Sequence, residues 1–511
     1  LAPARAGGRC GWGSPFPPAA VPLAGSMASS ADCPEWRRRT TLAALCAISA
    51  VKGADLQLLP ASFRAMEVDL QLKPYALGTL ALCQGVACAC AGPFWGNLVD
   101  SGLSRKMLLT AGTGLWGACT LMLAFVSDFR LMALLRVFNG ASLAMLLPVV
   151  QSFVVDLSKE SERGYVFGWL YFFSNIGQVI SCLFVTPTSN QIVWGLDGWR
   201  AALAAVGLVS WAIMLLVPAM ITEEPRVWKP ERVGFSKEFR KIVRFMRVPT
   251  FAVIILQGIF GTIPGAALSF CTMYFQYMGI PDSMCALINS LRIIGEACGG
   301  LLGGLIGDVL ATRSPAYGRP LTAQISIILC LPFMYAIFIA VPRVQSMTAT
   351  YAGLLFLHGL AGSWVAPGCI CPVMCEIVPK RSLASAYAWE MALVFASGNS
   401  IGPVLVGVMS QQLFGYRLST QQVGSMSPAA RRQNAEALGK SLFLSSALPY
   451  AICAGLFTLL YLTYTHDVRK ATESEGSDSG DWSSSGDRIP EGSSPEVSEN
   501  TKLLKPSRSR V

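Results

Sequence analysis

Ionisable residues are scarce in this sequence. Only 14% of its 511 residues are charged, against about 25% in a soluble domain. Histidine occurs twice, at His358 and His466. That leaves little material for general acid–base catalysis or for a histidine-bearing metal site. A Ser-His-Asp ordering, a closed metal-ligand spacing and a Walker sequence are all missing. The glycine-rich run GGLLGGLIG at 299–307 sits inside an apolar segment and lacks the Lys-Ser/Thr of a phosphate-binding loop. These absences argue against an enzyme, against a cofactor and against work driven by ATP. Cysteine is plentiful, at sixteen, but nearly all of it falls inside apolar runs, for example Cys83, Cys88, Cys271 and Cys453. It reads as reduced packing material, and no metal site is expected at Cys369, Cys371 and Cys375.

What is present is apolar length. The chain is 53% hydrophobic with a mean hydropathy of +0.49, and runs of about 20 apolar residues recur along it, which is the pattern of membrane-crossing helices. Spans are expected at 41–63, 74–95, 107–127, 131–156, 164–187 and 199–221, then at 249–275, 284–306, 320–341, 348–372, 383–409 and 441–464. The fold class is therefore an all-α polytopic membrane protein. The division is an N-terminal segment 1–40, a first six-helix bundle 41–221, a basic loop 222–248, a second bundle 249–464 and a disordered tail 465–511. Residues 1–26 are read as lying ahead of a start at Met27. The net charge of +10 comes from basic residues in short loops and needs no nucleic acid: Arg37–Arg39 precede the first span and Arg226 to Arg247 fill the central loop. By the positive-inside rule both termini are cytoplasmic. In the tail, Glu499 and Leu503-Leu504 form an acidic dileucine pattern, so the plasma membrane and an endolysosomal or vacuolar membrane are both candidate locations.

The stretch Gly92–Leu109, GPFWGNLVDSGLSRKMLL, joins two apolar runs too tightly for a domain between them. Gly96 is expected to let two helix ends approach, with Asp100, Arg105 and Lys106 at the membrane surface. Gly304 and Asp308 repeat the Gly96–Asp100 spacing in the second half, which suggests two homologous bundles. Charged residues inside the spans are costly and so are site candidates. Lys52 and Asp55 share a face of the first span, as do Arg136 and Asn139 of the fourth. Arg292 and Glu296 of the eighth are spaced to pair. Glu390, His358, Asn175, Gln178, Gln257 and Asn289 are weaker candidates, each with a plain structural role open to it. Gly299, Gly300, Gly303, Gly304 and Gly307 are read together as close-packing positions of the eighth span.

The 96–106 loop resembles the signature loop of the major facilitator superfamily in Gly96, Leu98, Asp100, Arg105 and Lys106, with Ser101 where that family usually has arginine. Arg136-Val-Phe-Asn139-Gly140 with Ala144 is similar to the family's fourth-span motif, and Gly359, Pro367, Glu376 and Arg381 echo it in the tenth. GADLQLLPASFRAM at 53–66 and FGY at 414–416 look like the plant and protist branch close to Spinster-type transporters. The resemblance implies a major facilitator fold of about 12 transmembrane helices in two pseudo-symmetric bundles around a cavity. It also implies alternating access, a signature loop that locks the halves in the outward-facing state, and a fourth-span motif tied to proton coupling or substrate contact. The expected function is secondary active transport of a small organic solute or amphipathic lipid by a monomer in the lipid bilayer, with a proton as co-substrate. In that scheme Lys52, Asp55, Arg136, Asn139, Arg292 and Glu296 handle substrate or coupling, and Asp55 and Glu296 are the acids that take up and release the proton. Cavity cations such as Arg136 would favour an anionic group. The alternative is a non-transporting membrane sensor or scaffold with the same fold.

Overall fold

The computed structural model describes residues 35–100, 103–157, 163–221, 223, 240, 242–379, 383–394, 397–398 and 400–477. The segment 1–34, most of the basic central loop, Ser101, Lys159, Arg381 and the dileucine pattern lie outside the described residues.

In lipid a backbone must satisfy its own hydrogen bonds, so each apolar run becomes a helix. Among the described residues ten helices are long and apolar enough to cross a membrane: Glu35–Leu70, Pro74–Gly96, Phe129–Val154, Val166–Thr188, Gly198–Met220, Pro249–Tyr277, Asp282–Arg313, Gly318–Ala340, Gln345–Ile377 and Pro428–Ala471. Arg105–Leu123 and the interrupted segment from Leu383 to Leu413 complete twelve spans. Numbered in chain order, spans one to six form the first half. Helix starts are fixed by polar caps. Ser104 Oγ accepts from the Met107 amide at 3.2 Å and Asp128 Oδ2 from the Leu131 amide at 2.9 Å. The seventh span opens on Pro249, and its Thr250 amide donates to Asp467 of the twelfth span at 2.8 Å.

The expected spans fall on these helices, and the differences have local causes. The first span runs to Leu70 and not to residue 63, because Arg64 and Glu67 continue the helix while buried against the second half. The twelfth begins at Pro428, well before its apolar run. The fourth is two helices, Phe129–Leu143 and Leu146–Leu157. Pro148, without an amide hydrogen, leaves the Ala144 carbonyl unbonded at that break.

Within each half the helices meet at small residues. A Cβ on Gly53 of the first span would strike the Ser174 carbonyl of the fifth, and one on Gly177 would strike Ala50 of the first. In the eighth span Gly299, Gly303 and Gly307 press on Leu360, Trp364 and Gly368 of the tenth. The expectation that Gly300 and Gly304 join them does not hold. Gly300 has nothing within 4 Å, and a Cβ on Gly304 would come no nearer than 3.9 Å to Pro367. A contact face on a helix repeats at i, i+4, and these two residues are turned about 100° away from it.

The halves join along two seams, the second span against the eleventh and the fifth against the eighth. On the first seam Gly407 packs on Tyr75, Gly78 on the Pro403 carbonyl and Gly85 on Ser400. On the other, Cys182 Sγ lies 3.5 Å from the Ala286 carbonyl. The end of the molecule where Glu35 begins is termed proximal and the other distal. At the distal end a small hairpin links the fifth and sixth spans. Ile192–Val193 pairs antiparallel with Leu196–Asp197 across Trp194 and Gly195, whose φ values of 53° and 80° suit a tight primed turn. Trp194 is 89% exposed at its tip.

Candidate functional site

Four spans of the first half converge on Asp55, which is fully buried. Thr120 of the third span donates to Asp55 Oδ1 at 3.1 Å, and Gln84 of the second lies 3.4 Å from Oδ2. Gln84 also donates to Asn139 Oδ1 at 2.8 Å and accepts from Arg136 Nη2, while Asn139 Nδ2 donates to Thr120 at 3.0 Å. Gln84 is thus the relay between an acid and a base that do not touch. Sequence spacing alone could not find it, because its neutral amide carries no charge signal. Lys52, one turn from Asp55, is not part of this hub. It is half-buried, with the Cys88 thiol of the second span in electrostatic range.

In the second half Arg292 Nη1 pairs with Glu296 Oε1. This pair faces the first half, with Tyr171 of the fifth span and Tyr450 of the twelfth both in electrostatic range of Glu296. His358 lies behind it, its Nε2 3.4 Å from the Tyr450 hydroxyl. The other polar candidates bond to protein groups: Asn289 donates to Thr272 at 2.8 Å, Gln257 to the Ile254 carbonyl at 2.9 Å, and Gln178 to Asn175 at 3.1 Å. Cys375 sits 3.7 Å from the Tyr387 hydroxyl. Among the described residues no group of three His, Cys, Asp or Glu could hold a metal.

At the distal end lies a network that sequence spacing does not assign. Arg64 and Glu67 are 2% and 0% exposed and bond at 2.6 Å. Tyr277, at the end of the seventh span, donates to Glu67 Oε2 at 2.8 Å, and Tyr416, between the eleventh and twelfth, donates to Oε1 at 2.5 Å. Arg64 also donates to the Ser419 carbonyl at 3.1 Å and to the Gln421 carbonyl, with its guanidinium 4.8 Å from the Tyr277 ring centre. Asn190 of the first half reaches Asp282 of the second at 3.1 Å. Together these latch the halves at the distal end. The signal lay in the 53–66 and 414–416 motifs, which hold Arg64 and Tyr416.

The expected gating loops behave differently in this state. A Cβ on Gly96 would meet nothing within 4 Å, so the close approach expected there is absent. The Asp100 side chain lies outside the described residues. Arg105 is 3% exposed and bonds within the first half. Its Nη1 donates to Ser152 Oγ at 2.8 Å, its Nε lies 3.3 Å from Glu223, and its guanidinium sits 4.6 Å from the Phe153 ring centre. Glu223 also accepts from Ser104 Oγ at 2.5 Å and from the Arg105 and Lys106 amides at 2.8 and 3.1 Å. Burial alone would push this carboxyl up, but the donors together hold it below its ordinary value of 4.5. In the second half Asp308 pairs with Arg319 at 2.8 Å.

Twelve apolar spans in two halves, seamed at the middle and latched at one end, define a multi-pass membrane carrier fold. The chain belongs to the Major Facilitator Superfamily, whose family model matches residues 45–338. It is 22% identical over 417 residues to Protein spinster of Drosophila melanogaster, a match covering 78% of this chain and 65% of that protein. It is 24% identical over 345 residues to Protein spinster homolog 1 of Xenopus tropicalis, covering 63% of each. The chain thus spans less than two-thirds of the length of these curated relatives. In structure it is similar to a bacterial homologue of the human lysosomal transporter Spinster in an inward-facing, occupied conformation. The TM-score is 0.69 at 20% identity, covering 84% of this chain and 98% of that one.

Proposed function

We propose that the protein is a secondary active transporter that moves a small organic solute or amphipathic lipid by alternating access, coupled to protons, with the single chain as the working unit. The observation that carries this reading is the asymmetry between the two ends. The Arg64–Glu67–Tyr277–Tyr416 network latches the distal end. Along the second span the glycine contacts with the eleventh end at Gly85, and Cβ atoms on Gly92 and Gly96 would meet nothing within 4 Å. This pattern supports a space between the halves that opens proximally, the conformation named for the bacterial relative. Arg37–Arg39, Arg105 and Lys106 mark the proximal end as the cytoplasmic one, so both termini are cytoplasmic. The membrane itself is a plasma or endolysosomal one.

Proton coupling is assigned to Asp55 and Glu296. Each is an intramembrane acid held beside a base, Asp55 through Gln84 and Glu296 directly, and protonation of either would release its partner. The test uses vesicles containing a trapped pH dye, challenged with pooled metabolites and lysolipids. Wild type is expected to give substrate-evoked proton flux that Asp55→Asn loses. Uptake whose rate and pH dependence are unchanged when both acids are neutralised would sink the assignment.

A further inference from the structure

Lys52, Arg64, Arg136 and Arg292 are cations set within membrane-spanning helices. Such a group needs a counter-charge. Arg64 has Glu67 and Arg292 has Glu296. Arg136 is tied to Asp55 through Gln84. Lys52 has no acceptor or carboxylate in bonding reach among the described residues. Asp55, three residues on, turns its oxygens to Thr120 and Gln84, and the Cys88 thiol is in electrostatic range of Lys52. Of these cations Lys52 is the one without an internal carboxylate partner among the described residues.

Its position is as telling as its charge. Cys88 is one helical turn beyond Gly85, the last glycine of the second span to touch the eleventh, and Gly92 and Gly96 past it meet nothing within 4 Å. Lys52 is therefore at the level just past the last glycine contact of that seam. Leu56, one turn away on the same face, is 44% exposed. We infer that Lys52 is the anchor for an anionic group, a phosphate or a carboxylate, on the transported molecule. This inference rests on the transport reading and names its substrate class. It also moves the anion-binding role from Arg136, whose partner is internal, to Lys52. An ammonium with three rotatable donors suits either oxyanion without demanding one geometry.

The test uses the full chain in nanodiscs with four eight-carbon probes: octyl phosphate, octanoate, octyltrimethylammonium and octyl glucoside. Binding is read as thermal stabilisation and as slowed maleimide labelling of Cys88, resolved by peptide mass spectrometry. Octyl phosphate or octanoate is expected to stabilise the wild type and protect Cys88, and the two arms tell which oxyanion is preferred. Lys52→Gln should weaken that binding by roughly tenfold or more, and Lys52→Arg should retain it. If Lys52→Gln does not fold, Cys88 protection in the wild type still decides. Protection by neither anion, equal protection by the cationic or neutral probe, or unchanged anion binding in Lys52→Gln overturns the inference. Anion binding at Lys52 without flux in vesicles would sink the transport reading and leave the anion site standing. Flux of some other cargo with no anion protection would do the reverse.

Discussion

Arg64 and Glu67 show how much rests on single side chains. Both are removed from water, and the pair is satisfied only because Tyr277 and Tyr416 donate to the same carboxylate. Arg64→Met would leave a buried carboxylate without its cation and should cost about 3–5 kcal/mol. Tyr416→Phe removes one donor and should cost about 1 kcal/mol. Thermal unfolding of the purified variants measures both, and equal losses would contradict the unequal roles of cation and hydroxyl. Glu223 gives a pH prediction. Its folded pKa is depressed below 4.5, so the stability it contributes is fully present above that pH and fades as pH falls through the folded value. Melting curves of wild type and Glu223→Gln should differ by a constant amount from pH 7 to about 5 and converge below 4.5. Arg64 and Tyr416 were visible as motif residues, but no one-dimensional pattern shows that Tyr416 meets a carboxylate 349 positions earlier. Burial of a charge through tertiary contact has no local signature.

At the scale of helices, the contact between the eighth and tenth spans is a register of small residues. Gly303→Val should drive a side chain into Trp364 and destabilise the protein by about 1–3 kcal/mol, whereas Gly304→Val should be tolerated because a Cβ there meets only Pro367, at 3.9 Å. Comparing the melting temperatures of these neighbouring variants checks the face directly. The twelve spans and their order were legible because apolar length is a strong, local quantity. Their ends were not: hydropathy stops at the first charge, while a helix such as Glu35–Leu70 continues until its backbone is capped or its charges fail to find partners. The same reason hid which of the five glycines pack. Spacing shows that glycines are frequent, and only the neighbouring helix decides which phase is used. Lys52 and Asp55 share a helix and still do not pair, because the carboxylate is held by Thr120 and Gln84.

For the molecule as a whole, the latch and the seams set what must break and what must persist during a cycle. Opening the distal end requires loss of the Asn190–Asp282 bond and of the Tyr contacts to Glu67. The Gly78–Pro403 and Gly85–Ser400 contacts lie where a pivot would be. Asn190→Cys paired with Asp282→Cys should therefore let an oxidant stop uptake and a reductant restore it, measured on the same vesicles. Inhibition that does not reverse, or none at all, would place the moving end elsewhere. The distal hairpin adds one more term. Trp194 stands almost fully exposed at its tip, fixed to the first half by a two-residue turn, and an indole in that position prefers the depth of the lipid headgroups. If the first half tilts, the indole is dragged out of that layer, so bilayer thickness becomes part of the energy of the conformational change, and the same chain should run at different speeds in thin and thick membranes.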